Sequence, residues 1–445
     1  MKMQMRSRPG AAVRGGLALA WLSLVLFAGL GAMRLAFAAP ADATGSSVGR
    51  TTPDQIALSW VDDPQTTVAI KWRTNTNVAQ TVVEYWEVAA ASANEPADDA
   101  AIDNLLPENR RQVAGSSFVW TSNLGSMRIH EARLSGLKPG YRYAYRIGDG
   151  SEAGWSTVYY FTTAPAAPAA VSILVFGDSQ SYATDYNLWR KTLQTAIKDD
   201  IPEQFILHTG DVVDAGSDEL HWETWFAATR GVLESIPFFP ALGNHENARG
   251  GAVYVQNHFQ LPVNGPQELA ELAYSFNYGD VHVVVLNSEA SGSAVEAQKR
   301  FLEEDLAQNQ DKTWKIVAFH RTVYNVKWGR GNPDLLANYV PILEKYGVDL
   351  VLNGHDHSYA RSFPIRGGQT AENPADLTTG GVVYIVTGRS GVKSYTDTFQ
   401  PKWAAAFGNG TRQPNYINLI FAGRQLRIIS QYVDGTVIDD VVMTK

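Results

Sequence analysis

Val171-Ser172-Ile173-Leu174-Val175-Phe176-Gly177-Asp178-Ser179-Gln180 reads as a six-residue strand that stops at a glycine and delivers a carboxylate immediately beyond it. Related events recur downstream. Strand-like runs at 205–208, 238–241, 315–319 and 350–352 lead into Gly210-Asp211-Val212-Val213-Asp214, Gly243-Asn244-His245-Glu246, His320 and Gly354-His355-Asp356-His357. Helical patterns fill about 184–198, 218–233, 294–306 and 333–346, and the runs 274–278 and 281–286 read as a hairpin-like pair. Strands alternating with helices predict an α/β layered architecture over 171–445. In such folds the loops at the carboxyl ends of the strands build the site.

Upstream of Val171 the period changes. Ala164-Pro165-Ala166-Ala167-Pro168-Ala169-Ala170 suits a semi-rigid linker, placed at 165–170. Before it, short runs at 56–60, 68–72, 82–86, 141–147 and 158–162 alternate with period two, which predicts an all-β sandwich of the fibronectin type III or immunoglobulin kind over 50–164. Leu137-Lys138-Pro139-Gly140 followed by Tyr143 fits the tyrosine corner of such sandwiches. The Ala-, Asp-, Asn- and Glu-rich stretch 89–115 reads as a mobile surface insertion.

The first 38 residues carry Lys2, Arg6, Arg8, Arg14 and Arg34 and no acidic residue, then an apolar run from Leu17 to about Met33 and Ala36-Phe37-Ala38. This is the pattern of a signal peptide over 1–38, cleaved after Ala38. The apolar run is also near the length of a membrane anchor, so the membrane is a partner only if this segment stays uncleaved; either way the remainder is exported, secreted or extracytoplasmic. The chain has no cysteine, so packing and any bound metal must stabilise it outside the cell. Removing the five leader cations from a net charge of −8 leaves −13, which disfavours nucleic acid polymers as partners.

The donor inventory is carboxylate, carboxylate, amide, imidazole and an imidazole pair, with no thiolate. Imidazole and carboxylate suit Fe, Mn or Zn, and a bridging carboxylate holds two such ions about 3.5–4 Å apart for an in-line phosphoryl displacement. The glycines preceding Asp178, Asp211, Asn244 and His355 suit sharp turns with no Cβ near the ions.

On these five motifs, residues 171 to about 361 resemble the calcineurin-like metallophosphoesterase superfamily. The sandwich, through Leu137-Lys138-Pro139-Gly140, Arg146-Ile147-Gly148-Asp149-Gly150 and Phe161-Thr162-Thr163, resembles the amino-terminal domain of purple acid phosphatases. The resemblance implies two divalent or mixed-valence ions (Fe, Mn or Zn), one held by Asp178, Asp211 and His357 and the other by Asp211, Asn244, His320 and His355. It implies hydrolysis of a small phosphorylated substrate by activated water, with His245 as the general acid that protonates the leaving oxygen and Glu246 as a neighbour able to orient it.

Three departures bear on that reading. The purple members carry a tyrosine three residues beyond the bridging aspartate; Asp214 stands there, so no purple colour is expected. The position two beyond Asp178, often histidine in the wider superfamily, is Gln180, whose carbonyl oxygen is a weak candidate ligand. The histidine pair of plant members is replaced by Gly329 and Arg330, which makes Arg330, Lys327 or Arg321 candidate phosphate partners.

His130, His208, His221, His258 and His282 read as structural, Trp222, Trp225 and Phe226 as core, and Asp356 as pointing away from the metals. Tyr359 and Arg361 suit either the cleft or strand packing, and Asn409-Gly410-Thr411 a turn. Phosphomonoesters are the first substrate expectation, with diesters or nucleotides open. The rival of another class is an inactive cell-surface binding protein, against which the intact ligand set argues.

Overall fold

The computed structural model describes residues 48–90, 110–199 and 201–445. The leader, its cleavage site and the middle of the expected insertion lie outside them. Among the described residues no helix is long and apolar enough to cross a membrane.

The amino-terminal domain is built from β1 (Asp54–Ser59), β2 (Val68–Thr74), β3 (Val82–Ala90), β4 (Arg111–Ala114), β5 (Ser116–Thr121), β6 (Ser126–Leu134), β7 (Tyr141–Gly148) and β8 (Tyr159–Thr162). They pair as two antiparallel sheets, β1-β2-β6-β5 and β4-β3-β7-β8, as the period-two pattern predicts. Leu58, Ile70, Trp72 and Leu134 from one sheet meet Val83, Tyr85, Tyr145 and Ile147 from the other in a shared core. The tyrosine corner forms: the Tyr143 hydroxyl accepts the Lys138 amide at 2.8 Å. The ends of the expected insertion are strands rather than loop. Strand β6 escapes the sequence reading because a buried His130 and three outward charges, Arg128, Glu131 and Arg133, mask the alternation of Met127, Ile129, Ala132 and Leu134.

The second domain contains β9 (Val171–Phe176), β10 (Phe205–His208), β11 (Phe238–Pro240), β12 (Tyr274–Tyr278), β13 (Val281–Val285), β14 (Trp314–Ala318), β15 (Leu350–Asn353), β16 (Tyr359–Ser362), the hairpin β17 (Ile365–Arg366) and β18 (Gln369–Thr370), β19 (Val383–Thr387), β20 (Ala404–Gly408), β21 (Asn415–Ala422), β22 (Gln425–Tyr432) and β23 (Val437–Thr444). Its helices are α1 (Asn187–Ala196), α2 (Glu219–Thr229), α3 (Asn244–Asn247), α4 (Ala252–His258), α5 (Ser293–Gln308) and α6 (Pro333–Lys345). Local signals start two of them: Asp218 caps α2 by accepting the Leu220 amide at 3.0 Å, and Pro333 occupies the first turn of α6.

Two sheets result, β11-β10-β9-β21-β22-β23 and β12-β13-β14-β15-β19-β16-β20. Parity decides what each residue faces. Val283, Val285, Ile316, Ala318, Leu350 and Leu352 point into the core between the sheets. Their neighbours Val284, Val317 and Val351 point the other way, onto Leu302 and Leu306 of α5 and Leu343 of α6. Helices α1 and α2 cover the outer face of the first sheet, where Trp189 meets Phe176 edge-on at 4.8 Å and stacks on Trp225 at 6.0 Å. The architecture is therefore α/β/β/α, with Trp222 and Trp225 in the core. Strands β9, β10 and β11 run parallel in one sheet, and β13, β14, β15 and β19 in the other, so their carboxyl ends open on one edge.

The sandwich is welded to both sheets and to α2. Trp60 sits among Phe205, Phe239, Phe276 and Tyr278 at ring distances of 5.3–6.1 Å, a burial worth about 2–3 kcal/mol. The Arg73 guanidinium is bidentate to Asp54 at 2.8 Å and reaches across to Glu219 at 2.9 Å and Glu223 at 2.7 Å. His258, read from sequence as structural, contacts the same Glu219 at 3.1 Å.

Candidate metal centre

Five loops at the open edge bring seven of the side chains named from sequence into one cluster. Asp178 follows β9, Asp211 follows β10, Asn244 and His245 follow β11, His320 follows β14, and His355 with His357 follow β15. The backbone is turned hard here. Asp178, Asp211, His355 and His357 have φ of 53°, 52°, 74° and 57°, a left-handed conformation that costs a non-glycine residue of order 1 kcal/mol or more. The strain thus sits largely on the candidate donors themselves. Of the four preceding glycines only Gly210 has a positive φ, 93°; at Gly243 the reason is proximity, because a Cβ would lie 2.2 Å from the Asp211 amide nitrogen.

The ligand atoms fall into two groups. Donor atoms of Asp211, His320 and His355 lie within 4.8 Å of one another, as do those of Asp178, Asp211 and His357, all five residues being buried. Asp211 belongs to both. His320 Nδ1 donates to the Thr209 carbonyl at 3.0 Å, which leaves Nε2 facing Asn244 Oδ1 at 3.1 Å, His355 Nδ1 at 3.1 Å and Asp211 Oδ1 at 3.3 Å. His357 Nδ1 is tied to the Lys393 carbonyl at 2.7 Å, and its Nε2 lies 3.0 Å from Asp178 Oδ1 without hydrogen-bond geometry. Lone pairs that converge in a buried place with too few protons between them fit cations.

The electrostatics agree. Burial alone would raise the Asp211 carboxyl, but His320 and His245 outweigh it and hold the group well below the usual carboxylate range. Burial would likewise lower the His320 imidazole, yet the Asp211 charge pushes it up to about 9, positive charge being favoured at this point. His355 goes down, through burial and then the His320 charge beside it.

Gln180 reaches the cluster with its nitrogen: Nε2 donates to Asp211 Oδ2 at 3.0 Å, and Oε1 is buried without a partner. Among the described residues the Glu246 carboxylate does not hydrogen-bond the His245 ring. It accepts the backbone N–H groups of Asp211 (3.0 Å), Val213 (2.9 Å) and Gly243 (3.0 Å), so it braces the turns that present Asp211 and Asn244. Burial and then the Asp211 charge push the Glu246 carboxyl up to about 8. His245 stands at the mouth, its Nε2 3.9 Å from Asp211 Oδ2 and its Nδ1 2.5 Å from the Asp214 carbonyl. His208 supports the floor, with Nε2 3.1 Å from Ser179 Oγ and Nδ1 accepting the Gly210 amide at 3.2 Å.

The cationic candidates each have a carboxylate partner. Arg321 pairs with Glu289 at 2.6 Å, Lys327 with Asp397 at 2.6 Å, and Arg330 with Asp356 at 2.8 Å. Asp356 points away from the ligands, toward the Val326 amide at 2.7 Å. Tyr359 and Arg361 pack onto Asp439, at 2.7 and 2.6 Å, between β16 and β23. Asn409 turns its carboxamide onto the Thr411 amide at 2.9 Å.

The sequence reading missed a further site-building loop, Gly388-Arg389-Ser390-Gly391-Val392-Lys393 after β19. It is stitched to the Asp178 loop: Ser390 N donates to the Gly177 carbonyl at 2.8 Å, Gly391 N to that of Asp178 at 2.9 Å and Val392 N to that of Gln180 at 3.2 Å. It brings the Lys393 Nζ to 2.7 Å from His245 Nε2, and the Tyr395 ring to 4.5 Å from that of His357. The signal was present in the sequence, since Val383–Thr387 ends at a glycine as the earlier strands do.

Residues 53–163 match the family described as the purple acid phosphatase N-terminal domain, and residues 171–359 match the calcineurin-like phosphoesterase family. An uncharacterized protein of Mycobacterium tuberculosis is 29% identical over 341 residues, covering 65% of this chain and 63% of that protein, so the match spans just under two thirds of that relative. Acid phosphatase type 7 of Mus musculus is 26% identical over 427 residues, covering 88% of this chain and 90% of that protein. Three Arabidopsis thaliana relatives bear the name "probable inactive purple acid phosphatase". The structure of a purple acid phosphatase from yellow lupin seeds superposes with a TM-score of 0.71 at 19% identity, covering 88% of this chain and 74% of that one; at such identity the likeness speaks for the fold.

Proposed function

We propose, from the premise that this chain belongs to the calcineurin-like metallophosphoesterases with a purple acid phosphatase-type amino-terminal domain, that it is an exported hydrolase of phosphate monoesters. The observation that carries the reading is the pair of buried ligand groups sharing Asp211. Asp178, Asp211 and His357 would hold one ion and Asp211, Asn244, His320 and His355 the other, with Gln180 oriented on the shared carboxylate. The chemistry supplied by a bound metal pair is Lewis acidity, which polarises a phosphoryl oxygen and makes water a competent nucleophile near neutral pH.

The chain's own groups do the rest. Glu246 keeps the Asp211 turn rigid, so that the phosphoryl group meets a preorganised wall. The Asp214 carbonyl fixes the His245 ring through Nδ1. Nε2 is then the atom at which a proton is held and passed to the departing oxygen, help worth about 10²–10⁴ in rate. Export rests on the basic, then apolar, leader ending at Ala38. The sandwich is the structural companion of the catalytic domain.

The test is metal analysis of the purified chain together with hydrolysis of aryl phosphate mono- and diesters, with Asp211→Asn as control. Two metals per chain and monoester turnover lost in the variant support the reading; a faster diester assigns the substrate to that class. A chain that binds no metal and turns over neither ester is a catalytically silent member.

A further inference from the structure

Lys393 is a cation to which the reaction as derived gives no task. It is half-buried on the loop after β19. Its carbonyl holds His357 at 2.7 Å, while its ammonium lies 2.7 Å from His245 Nε2. With the His245 Nδ1 proton engaged by the Asp214 carbonyl, Nε2 accepts from the ammonium until it takes up the proton that it passes to the departing oxygen. An ammonium has three N–H groups, so two remain for a ligand in the mouth of the cluster. Arg321, Lys327 and Arg330 each have a carboxylate partner; among the described residues Lys393 has none.

We propose that Lys393 is a specificity-determining phosphate ligand of this site. Its ammonium binds a non-bridging oxygen of the phosphoryl group beside His245 and favours a phosphoryl group with two negative charges, in a monoester or in inorganic phosphate. In a diester a second ester oxygen replaces one charged oxygen, and the charge-assisted hydrogen bond is weakened. The proposal rests on the hydrolase reading and adds the group that selects its substrate class.

The experiment uses the metal-loaded full chain and its Lys393→Met and Lys393→Arg variants. Inorganic phosphate binding is measured by calorimetry, metal content by elemental analysis, and kcat/KM on an aryl phosphate monoester and a diester. Lys393→Met is expected to weaken inorganic phosphate about 10–100-fold and to lower monoester kcat/KM as much, the range for a hydrogen bond to a charged group. Diester kcat/KM should fall by less than monoester kcat/KM, metal content should hold, and Lys393→Arg should keep most phosphate affinity. Unchanged phosphate affinity in Lys393→Met, an equal loss on both esters, or loss of metal would overturn the assignment. If the unsubstituted chain turns over neither ester, the hydrolase reading fails, and the phosphate calorimetry still decides for or against Lys393.

Discussion

The Glu246 carboxylate accepts the amide of Asp211 at 3.0 Å, and through that bond the residue after the candidate acid holds the backbone of the carboxylate shared by both ligand groups. The same carboxylate takes the Val213 and Gly243 amides. Glu246→Ala would leave three buried N–H groups without an acceptor, and each such group costs roughly 1–3 kcal/mol. We expect a clear drop in the midpoint of chemical unfolding. Glu246→Gln keeps an acceptor but turns an N–H toward a donor, and metal affinity is expected to fall about 10–100-fold, the usual effect of losing a group that orients a ligand. Unaltered metal titration curves in Glu246→Gln would remove Glu246 from this role.

The convergent lone pairs of the two buried groups repel one another, and a cation between them would relieve that repulsion. Chelation should lower the thermal midpoint, because a ligand present at about a thousand times its Kd stabilises by about 4 kcal/mol. In Asp211→Asn the midpoint should be insensitive to chelator, since one substitution touches both groups. Scanning calorimetry with and without chelator reads both outcomes.

Arg73 is the electrostatic rivet between the sandwich and α2. Its removal strands the fully buried Glu219 carboxylate with only Gln55 and His258 as partners among the described residues. Breaking a buried pair in this way costs about 3–5 kcal/mol, so Arg73→Met is expected to unfold well below the unsubstituted chain. Arg73→Lys should recover only part of the loss, because a point charge cannot bridge Asp54 and the two glutamates as a planar fork does. A full recovery in Arg73→Lys would mean that charge alone holds the interface.

His130 makes the sandwich sensitive to acid. The ring is buried between the Thr74 hydroxyl at 2.7 Å and that of Thr81 at 2.8 Å, and stacks on Trp72 at 5.1 Å. Burial, and then the Arg128 charge, lower its pKa from 6.5 to about 4. As pH falls below 6.5 the unfolded chain takes up a proton that the folded chain refuses, so stability falls with pH until about 4, where the folded ring protonates too. The lost contribution approaches about 3 kcal/mol at roughly 1.4 kcal/mol per unit. Unfolding curves between pH 7 and 4 should show this slope, reduced in His130→Gln.

The linear order of residues carried the two domain types and the identity of the clustered side chains, because both are local: period-two and strand–helix patterns register within ten residues, and each clustered side chain sits beside the strand end that presents it. The tyrosine corner at Tyr143 was legible for the same reason. The carboxyl-terminal strands that complete both sheets were not read, and β6 was hidden because a buried histidine and outward charges blur its alternation.

Partnership was decided by folding alone. Arg330, Lys327 and Arg321 looked equally available in sequence, yet each met a carboxylate from a distant segment, while Lys393, 148 positions from His245, came to rest against it. Which charges cancel and which stay open to a ligand depends on distances across the sheet edge, and only the packing of two sheets sets those distances.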